Sequence, residues 1–173
     1  SARRPDPGPT RGVRALAGVA HEIVYVDDGS TDATPQELAA ARAEGAPLRV
    51  LRHRASCGQS AAVITGVKAA RGEWIATLDG DGQNDPADIP RLLARAVAEA
   101  GTGAPVLIAG HRVNRRDSAV KRFSSRFANR FRAWMLRDAT PDTGCGLKVF
   151  SRALFLGLPH FDHMHRFLPA LTL

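Results

Sequence analysis

Oxygen-bearing side chains follow two apolar runs that have the character of buried strands. They are Asp27, Asp28 and Asp32 after "EIVYV", and Asp79, Asp81 and Gln83 after "EWIATL". In open α/β sheets, ligands bind beyond the carboxyl ends of the strands. Carboxylate and amide oxygens suit hard cations, and Mg²⁺ usually shares its coordination shell with substrate phosphates. An Asp-x-Asp pattern alone also favours turns, but two such clusters predict a Mg²⁺ or Mn²⁺ site with a nucleotide as co-ligand.

Alternating strands and helices are predicted to hold these clusters. The runs with strand character are "EIVYVDD" (22–28), "PLRVLRH" (47–53), "EWIATLD" (73–79) and "PVLIAG" (105–110). Helices are predicted after Thr34, over 59–70 and over 89–100, the last from the i, i+3, i+4, i+7 spacing of its apolar residues. This alternation predicts an α/β fold with a mostly parallel sheet and flanking helices on both faces.

The helix that follows the first strand carries start and stop signals. Thr34 is the predicted N-cap, Pro35 falls in the first turn, and Glu37 stands three residues after the cap. Gly45 suits the end of this helix, where the backbone commonly adopts a left-handed conformation.

Length and composition fit one globular domain. The chain has 173 residues, of which 44% are hydrophobic, and no apolar run approaches the ~18 residues of a membrane span. Residues 1–20 are rich in Pro, Gly and Arg and are predicted to form a poorly ordered leader. Cys57 and Cys145 fit no metal-binding spacing and are interpreted as thiols in a reducing compartment.

Positive charge is concentrated in one segment. Residues 111–152 carry eleven Lys and Arg against three Asp, a net +8 in a chain of net +7. Within it, residues 118–137 combine an apolar stripe containing three Phe and one Trp with surrounding Arg and Lys. Such a basic amphipathic helix suits an anionic membrane interface. A stripe packed on the core, with a solvated basic face, is the alternative.

Three other classes of protein carry acidic strand ends. A calcium loop is excluded, because Gly82 is misplaced and Pro90 stands where the bidentate Glu should be. A haloacid-dehalogenase-type phosphatase has its Asp-x-Asp first and its acidic pair late, the reverse of the order here. A phosphoreceiver module would use Asp79 as acceptor. It would also need a lysine on a later strand, where only Lys121 and Lys148 are available.

Four segments together resemble family 2 glycosyltransferases. They are "VDDGSTD" (26–32), "GQSAAVITGVKAARGEWIATLDGDGQNDP" (58–86), "GHRVNRRDSAVKR" (110–122) and "DTGCGLKVFSR" (142–152). The chain is similar to the bacterial relatives of dolichol-phosphate mannosyltransferase, which glycosylate polyprenyl phosphates. The resemblance runs from Glu22 to the C-terminus, with the motifs in the family's order.

The resemblance implies a GT-A (Rossmann-like) fold and assigns roles to residues at the strand ends. The residues it places against the nucleotide-sugar are Val26, Asp28, Asp79, Gly80, Asp81, Arg112 and Lys121. Those it implies to be catalytic are Asp79, Asp81 and Arg112. The implied ligands of Mg²⁺ or Mn²⁺ are Asp81 and Gln83. Asp28 would contact the nucleoside, and Arg112 and Lys121 would hold the phosphate groups.

Other residues are assigned to the acceptor side by the same resemblance. They are Asp142, Lys148, His165 and Arg166. A segment similar to "MHRFLPAL" occurs in the bacterial subgroup, which is why His165 and Arg166 are placed there. The run "HFDHMHRF" (160–167) holds three His and one Asp, but its spacing does not match a zinc site. The lone histidines His21, His53 and His111 are interpreted as structural or surface residues.

The implied reaction is an inverting transfer of a sugar from a UDP- or GDP-sugar to a polyprenyl phosphate. Its implied partners are the nucleotide-sugar donor, the polyprenyl phosphate and an anionic membrane surface, with no nucleic acid. The implied location is the cytoplasmic face of the inner (plasma) membrane, peripheral or anchored by segments absent from this chain. Two alternatives stay open: a family 2 transferase with a polysaccharide or other soluble acceptor, and a receiver-like signalling module.

The chain departs from the family pattern at both ends. Family members begin with an apolar strand that ends in a Pro-x-x-Asn-Glu-like motif, and nothing before Glu22 resembles it. The segment "MHRFLPALTL" stops where relatives continue. Residues 21–173 are therefore expected to be a catalytic domain that is incomplete at both ends, without the usual first strand and C-terminal part. An edge left by a missing strand could pair with a second copy, so a homo-oligomer is also open.

Overall fold

A computed structural model describes residues 18–80, 84–110, 145–166 and 168. The strands are β1 (Ile23–Asp27), β2 (Leu48–Arg52), β3 (Trp74–Thr77), β4 (Leu107–Ala109) and β5 (Lys148–Ser151). The helices are α1 (Thr34–Ala43), α2 (Gln59–Ala69), α3 (Ile89–Ala100) and α4 (Arg152–Gly157). Short 3₁₀ turns cover Pro86–Asp88 and Met164–Arg166. The predicted basic amphipathic helix over 118–137 lies outside the described residues.

The described strands form one parallel pair and one three-stranded sheet. β1 pairs with β2 in parallel, from Ile23 opposite Leu48 to Asp27 opposite Arg52. In the second sheet β5 lies between β3 and β4 and runs antiparallel to both. The predicted α/β fold with a parallel sheet and flanking helices is confirmed, whereas β5 was not predicted from the sequence.

Strand β5 is the centre of the hydrophobic core. Because successive side chains of a strand point to opposite faces, Val149 and Phe150 enter two different clusters. Phe150 packs with Val67 of α2 and with Phe155, Met164 and Leu168. On the other face, the cluster around Val149 comprises Ala96 of α3, Val106 and Ile108. Helices therefore cover both faces of this sheet, as the alternating pattern predicts.

Local signals were read correctly at the end of α1 and wrongly at its start. Gly45 has a φ of 89°, and its N–H donates to the Arg42 carbonyl at 3.0 Å, as predicted. The N-cap is Ala33, and Thr34 is the first helical residue, so the prediction of Thr34 as the cap is wrong. The Thr34 N–H donates to Asp32 Oδ1 at 3.0 Å, so Asp32 supplies the side-chain acceptor in place of a cap hydroxyl.

The first strand is less enclosed than its apolar sequence predicts. Ile23, Val24, Tyr25 and Val26 are only half-buried, while Asp27 is fully buried. None of the helices in the described ranges is both long and apolar enough to cross a bilayer.

Candidate functional site

The structure describes part of the predicted site. Asp81, Gln83, Arg112, Lys121 and Asp142 lie outside the described residues, and the roles predicted for them stay predictions. The described members are Val26, Asp28, Asp79, Gly80, Lys148, His165 and the backbone of Arg166.

Asp79 stands two residues beyond the end of β3 and is held from two sides. Gln59, the first residue of α2, donates from Nε2 to Asp79 Oδ1 at 2.8 Å. On the other side the carboxylate packs directly against Gly146, where a Cβ atom would lie 2.1 Å from Asp79 Oδ2. Thr77 anchors the same segment by donating its hydroxyl to the Gly146 carbonyl at 2.7 Å. The direction of the Asp79 carboxylate is therefore fixed by α2 and by the segment that leads into β5.

The neighbouring strand β1 approaches this strand end. A Cβ atom on Gly80 would lie 3.5 Å from the Tyr25 hydroxyl oxygen, so β1 and the chain after β3 come close there. Val26 packs towards α2, since a Cβ atom on Gly66 would lie 3.3 Å from Val26 Cγ2. The structure therefore brings Tyr25 of β1 next to Gly80, and Val26 next to α2. The nucleotide-sugar contacts implied for Val26, Gly80 and Asp79 stay predictions.

The two acidic residues at the end of β1 have different surroundings. Asp27 is 2% exposed; its Oδ1 accepts from the Ser30 N–H at 2.9 Å, and its Oδ2 lies 3.2 Å from Arg52 Nε. This buried carboxylate closes the turn after β1 through Ser30 and forms an ion pair with Arg52, the last residue of β2. Asp27 is therefore a structural member of the pair.

Asp28 ties the end of β1 to the loop before α2. Its Oδ1 lies 2.6 Å from His53 Nδ1 and accepts from the Cys57 N–H at 2.9 Å. Its Oδ2 accepts from the Gly58 N–H at 2.8 Å and from the Ser56 hydroxyl at 2.9 Å. A carboxylate offers about four acceptor positions, so these donors fill it. A nucleoside contact by Asp28 would have to share or replace one of these hydrogen bonds.

These hydrogen bonds decide the protonation of Asp28. Partial burial by itself raises the pKa of the carboxyl. The donors, led by the Cys57 N–H and followed by His53, Ser56 and Gly58, outweigh burial and hold the pKa well below its usual value. Asp28 is therefore ionised throughout the physiological range.

Acid should destabilise the protein through this carboxyl. A group whose pKa is lower in the folded than in the unfolded state contributes stability that is present above the unfolded value and is lost as the pH falls towards the folded value. We expect the free energy of unfolding to fall below pH ~4, where unfolded Asp titrates. Asp28→Asn should lower the free energy of unfolding by about 2 kcal/mol at neutral pH, because hydrogen bonds to a charged acceptor are lost. In this variant the free energy of unfolding should also fall less steeply at acidic pH.

The free energy of unfolding, measured by chemical denaturation between pH ~2 and ~7, checks this expectation, because carboxyl groups titrate within that range. Asp88→Asn is the matched control, since the Asp88 side chain is 49% exposed and, among the described residues, is paired only with Arg91 of the next helix. If both substitutions reduced the loss of stability at acidic pH equally, Asp28 would not be the carboxyl responsible for that loss.

Lys148 is a buried basic residue at the end of the three-stranded sheet where β3 terminates. It is the first residue of β5, opposite Thr77 in the β3 register, and is 5% exposed. Its ammonium group donates to the Cys145 carbonyl. Lys148 therefore lies near the strand end that carries Asp79, although its predicted acceptor role is not tested by this contact.

His165 contacts the start of α2. Its Nδ1 lies 2.8 Å from the hydroxyl oxygen of Ser60, the residue after Gln59. Between α2 and residues 160–162 lies a cavity of about 270 Å³, lined by Cys57, Ser60, Ala61, Ile64, His160, Phe161 and Asp162. The Met164–Arg166 turn thus lies next to the start of α2, the end that contacts Asp79. The acceptor-side role of His165 stays a prediction.

The residues on either side of 81–83 are anchored to one segment. Asp79 packs against Gly146, and Asn84 Oδ1 accepts from the Cys145 thiol at 3.2 Å. Asn84 is itself 8% exposed. The residues on both sides of the predicted ligands Asp81 and Gln83 are thus anchored to Cys145 and Gly146, which lie just before β5. Their carboxylate and amide oxygens are a donor set that fits Mg²⁺ or Mn²⁺.

Sequence reasoning missed Gln59, Ser60 and His53 as members of the site. Gln59 and Ser60 lie in the "GQS" segment that carried the resemblance, so their motif was visible but their partners were not. His53 was interpreted as a structural or surface residue. It bridges Asp28 and, at 2.9 Å from Nε2, the Thr65 hydroxyl, a structural role whose partners the sequence did not show. These contacts join residues that are 25 and 12 positions apart in the chain, so no periodic pattern in the sequence reveals them.

The sequence is similar to known proteins over most of its length. Residues 11–157 match the family model described as "Glycosyl transferase family 2". A dodecaprenyl-phosphate galacturonate synthase of Rhizobium johnstonii is 39% identical over 154 residues, covering 86% of this chain and 44% of the relative.

Two further relatives carry another name. Undecaprenyl-phosphate 4-deoxy-4-formamido-L-arabinose transferases of Pseudomonas paraeruginosa and Klebsiella pneumoniae are 37% and 34% identical. Their alignments cover 90% and 91% of this chain, and 44% and 47% of the relatives. The chain thus spans less than half the length of the curated relatives it matches.

Proposed function

The chain belongs to glycosyl transferase family 2, and on that basis we propose that its protein transfers a sugar from a nucleoside-diphosphate sugar to a polyprenyl phosphate. The observation that carries the acceptor class is the naming of a polyprenyl phosphate in each of the relatives described above. Family membership also favours an enzyme over a receiver-like signalling module.

The donor is proposed to bind where β1 and β3 end. This placement is supported by the close approach of Gly80, the residue after Asp79, to Tyr25 of β1 and by the general position of ligands in α/β folds. Asp79 would lie beside the nucleotide-sugar, with its carboxylate direction fixed by Gln59 and Gly146. Asp28 would reach the nucleoside by giving up the hydrogen bond of the exposed Ser56 hydroxyl.

The proposed reaction is a single displacement. An oxygen of the acceptor phosphate forms a bond to the anomeric carbon while the bond from that carbon to the nucleoside diphosphate breaks, so the configuration inverts. The acceptor phosphate is already anionic at neutral pH and needs no strong general base. Cationic groups must hold two anionic reactants in line, and Arg112, Lys121 and Lys148 are proposed for that role.

A divalent cation is proposed to assist this step. Asp81 and Gln83 would hold Mg²⁺ or Mn²⁺ on the diphosphate, between flanks that are anchored to the segment before β5. When bound, the ion would neutralise charge that develops on the leaving nucleoside diphosphate.

The acceptor is proposed to approach from the side of His165 and Arg166, with Asp142 nearby. Support comes from the contact of His165 with Ser60, one residue from the partner of Asp79. A polyprenyl chain is presented from a bilayer, so the basic segment 111–152 is proposed to face an anionic membrane. We place this surface at the cytoplasmic face of the plasma membrane.

A transfer assay on the full-length protein tests the proposal. Radiolabelled UDP- and GDP-sugars would be incubated with Mn²⁺ and vesicles that contain undecaprenyl phosphate, and label would be measured in the organic extract. Undecaprenol, which has the same chain without the phosphate, is the matched control acceptor. We expect label in the extract with one donor, only with the phosphorylated lipid.

The outcomes separate the alternatives. Label that enters a soluble oligosaccharide instead of the lipid would replace this proposal by the family 2 transferase with a soluble acceptor. Equal labelling of undecaprenol and undecaprenyl phosphate would contradict the phosphate as nucleophile.

A further inference from the structure

We propose that Asp28, His53 and Cys57 form a binding site for a thiophilic divalent cation such as Zn²⁺. One ligand atom from each side chain can be chosen so that all three lie within 4.8 Å of one another. Carboxylate oxygen, imidazole nitrogen and thiolate sulfur are the donor types that zinc takes in proteins. This site is separate from the hard-cation site proposed at Asp81 and Gln83.

The cation would lie between His53 and Asp28, where the two side chains now share a hydrogen bond. His53 Nδ1 and Asp28 Oδ1 are 2.6 Å apart, with a proton between them. In a tetrahedral zinc site, bonds of roughly 2.0–2.3 Å put neighbouring ligand atoms about 3.3–3.6 Å apart. Replacing the proton by the metal therefore requires Nδ1 and Oδ1 to separate by less than about 1 Å, a movement within reach of side-chain rotation.

Groups behind the ligands are placed as they are in established zinc sites. The other ring nitrogen of a metal-binding His usually makes a hydrogen bond that fixes its tautomer, and His53 Nε2 lies 2.9 Å from the Thr65 hydroxyl. That hydroxyl can donate or accept, so the imidazole can release its Nδ1 proton and keep this contact. Asp28 would keep the Gly58 and Ser56 donors on Oδ2.

Access and charge also favour a cation here. Cys57 is exposed. Among the described residues its thiol contacts only the Ala55 carbonyl, at 3.3 Å, so the sulfur can turn towards the other two ligands. A carboxylate and a thiolate would balance the two charges of the ion. The soft sulfur selects Zn²⁺ or Cd²⁺ over Mg²⁺ or Mn²⁺, which distinguishes this site from one built of oxygen ligands.

Titration of the reduced full chain with Cd²⁺ tests the proposal, because a cadmium–thiolate bond has its own ultraviolet absorption. We expect the band to saturate at one Cd²⁺ per chain and to persist in excess Mg²⁺. Zn²⁺ should displace Cd²⁺ and abolish the band. Cys57→Ser should remove the band, and His53→Gln should weaken binding by at least about 100-fold.

Matched variants control for unrelated thiols and imidazoles. Cys145→Ser removes the other cysteine, which is buried, and His21→Gln removes an exposed histidine that contacts only the Val19 carbonyl among the described residues. Both should bind Cd²⁺ as the unmodified chain does. Cys57 is on the surface, so its serine variant should fold, and circular dichroism verifies this.

Three results would overturn the site. They are the lack of a thiolate band at equimolar Cd²⁺, a band that survives Cys57→Ser, and an equal loss of binding in Cys57→Ser and Cys145→Ser. None of these readouts depends on nucleotide binding or sugar transfer, so this test and the test of the proposed function can fail independently.

Discussion

Replacing Gly146 by Ala is expected to destabilise the protein and to weaken nucleotide-sugar binding together. The added Cβ would lie 2.1 Å from Asp79 Oδ2 and 2.3 Å from Asp79 Cγ, far inside van der Waals contact. Either the backbone before β5 moves or the Asp79 carboxylate turns away from Gln59. Overpacking of this kind typically costs about 1–3 kcal/mol of stability, and a displaced Asp79 should lower donor affinity by at least about tenfold.

Gly157→Ala is the matched control for this substitution. Gly157 ends α4, and a Cβ atom there would have no atom of the described residues within 4 Å. Chemical denaturation gives the change in unfolding free energy, and titration with the nucleoside diphosphate gives the change in affinity. If Gly146→Ala behaved like Gly157→Ala in both measurements, the close packing of Asp79 on Gly146 would be refuted.

Asp81→Ala is expected to have the largest effect on activity. The residue is proposed to hold the cation that offsets charge on the leaving group, a contribution of several kcal/mol in metal-assisted reactions. Since each 1.36 kcal/mol is tenfold in rate, a loss of about 4 kcal/mol lowers kcat/KM by about 1,000-fold. Excess Mn²⁺ should not restore the rate, because the ligand itself is gone.

Asp88→Ala controls for the loss of a carboxylate near the same loop. Asp88 pairs with Arg91 at 3.0 Å on an exposed surface, where ion pairs contribute little, so its removal should leave kcat/KM within about twofold. Sugar transfer by the full-length protein is the readout. Wild-type kcat/KM in Asp81→Ala would remove this residue from the mechanism.

The parts of the fold that depend on local sequence were predictable. The apolar spacing over 89–100 gave α3 with the observed bounds, Ile89–Ala100, because one face of that helix packs against the sheet. Gly45 was predictable because few other residues adopt a φ of 89° at low cost.

Parts that depend on long-range pairing were not predictable. β5 is only four residues long and buried on both faces, so neither alternation nor length distinguished it from a loop or the start of α4. β5 lies between β3 and β4 and is antiparallel to both. This order depends on which strands pair with each other, and the sequence of a single strand does not reveal its partners.

For the candidate site, the sequence was enough to select residues but did not show which partners hold them in place. Asp28 and Asp79 were both selected from their position after apolar strands. The four donors around Asp28 and the clamp of Gln59 and Gly146 on Asp79 became visible only in three dimensions. Each joins segments that are far apart in the chain, so no local pattern encodes them.

The most direct test of a nucleotide-sugar site is a calorimetric titration of UDP and of GDP into the full-length protein, first with Mn²⁺ and then with excess EDTA. We expect one of the two nucleotides to bind at a single site in Mn²⁺, and we expect EDTA to abolish this binding. Asp81→Ala should bind neither. Binding that EDTA leaves unchanged, or the failure of both nucleotides to bind in Mn²⁺, would refute a metal-dependent nucleotide-sugar site.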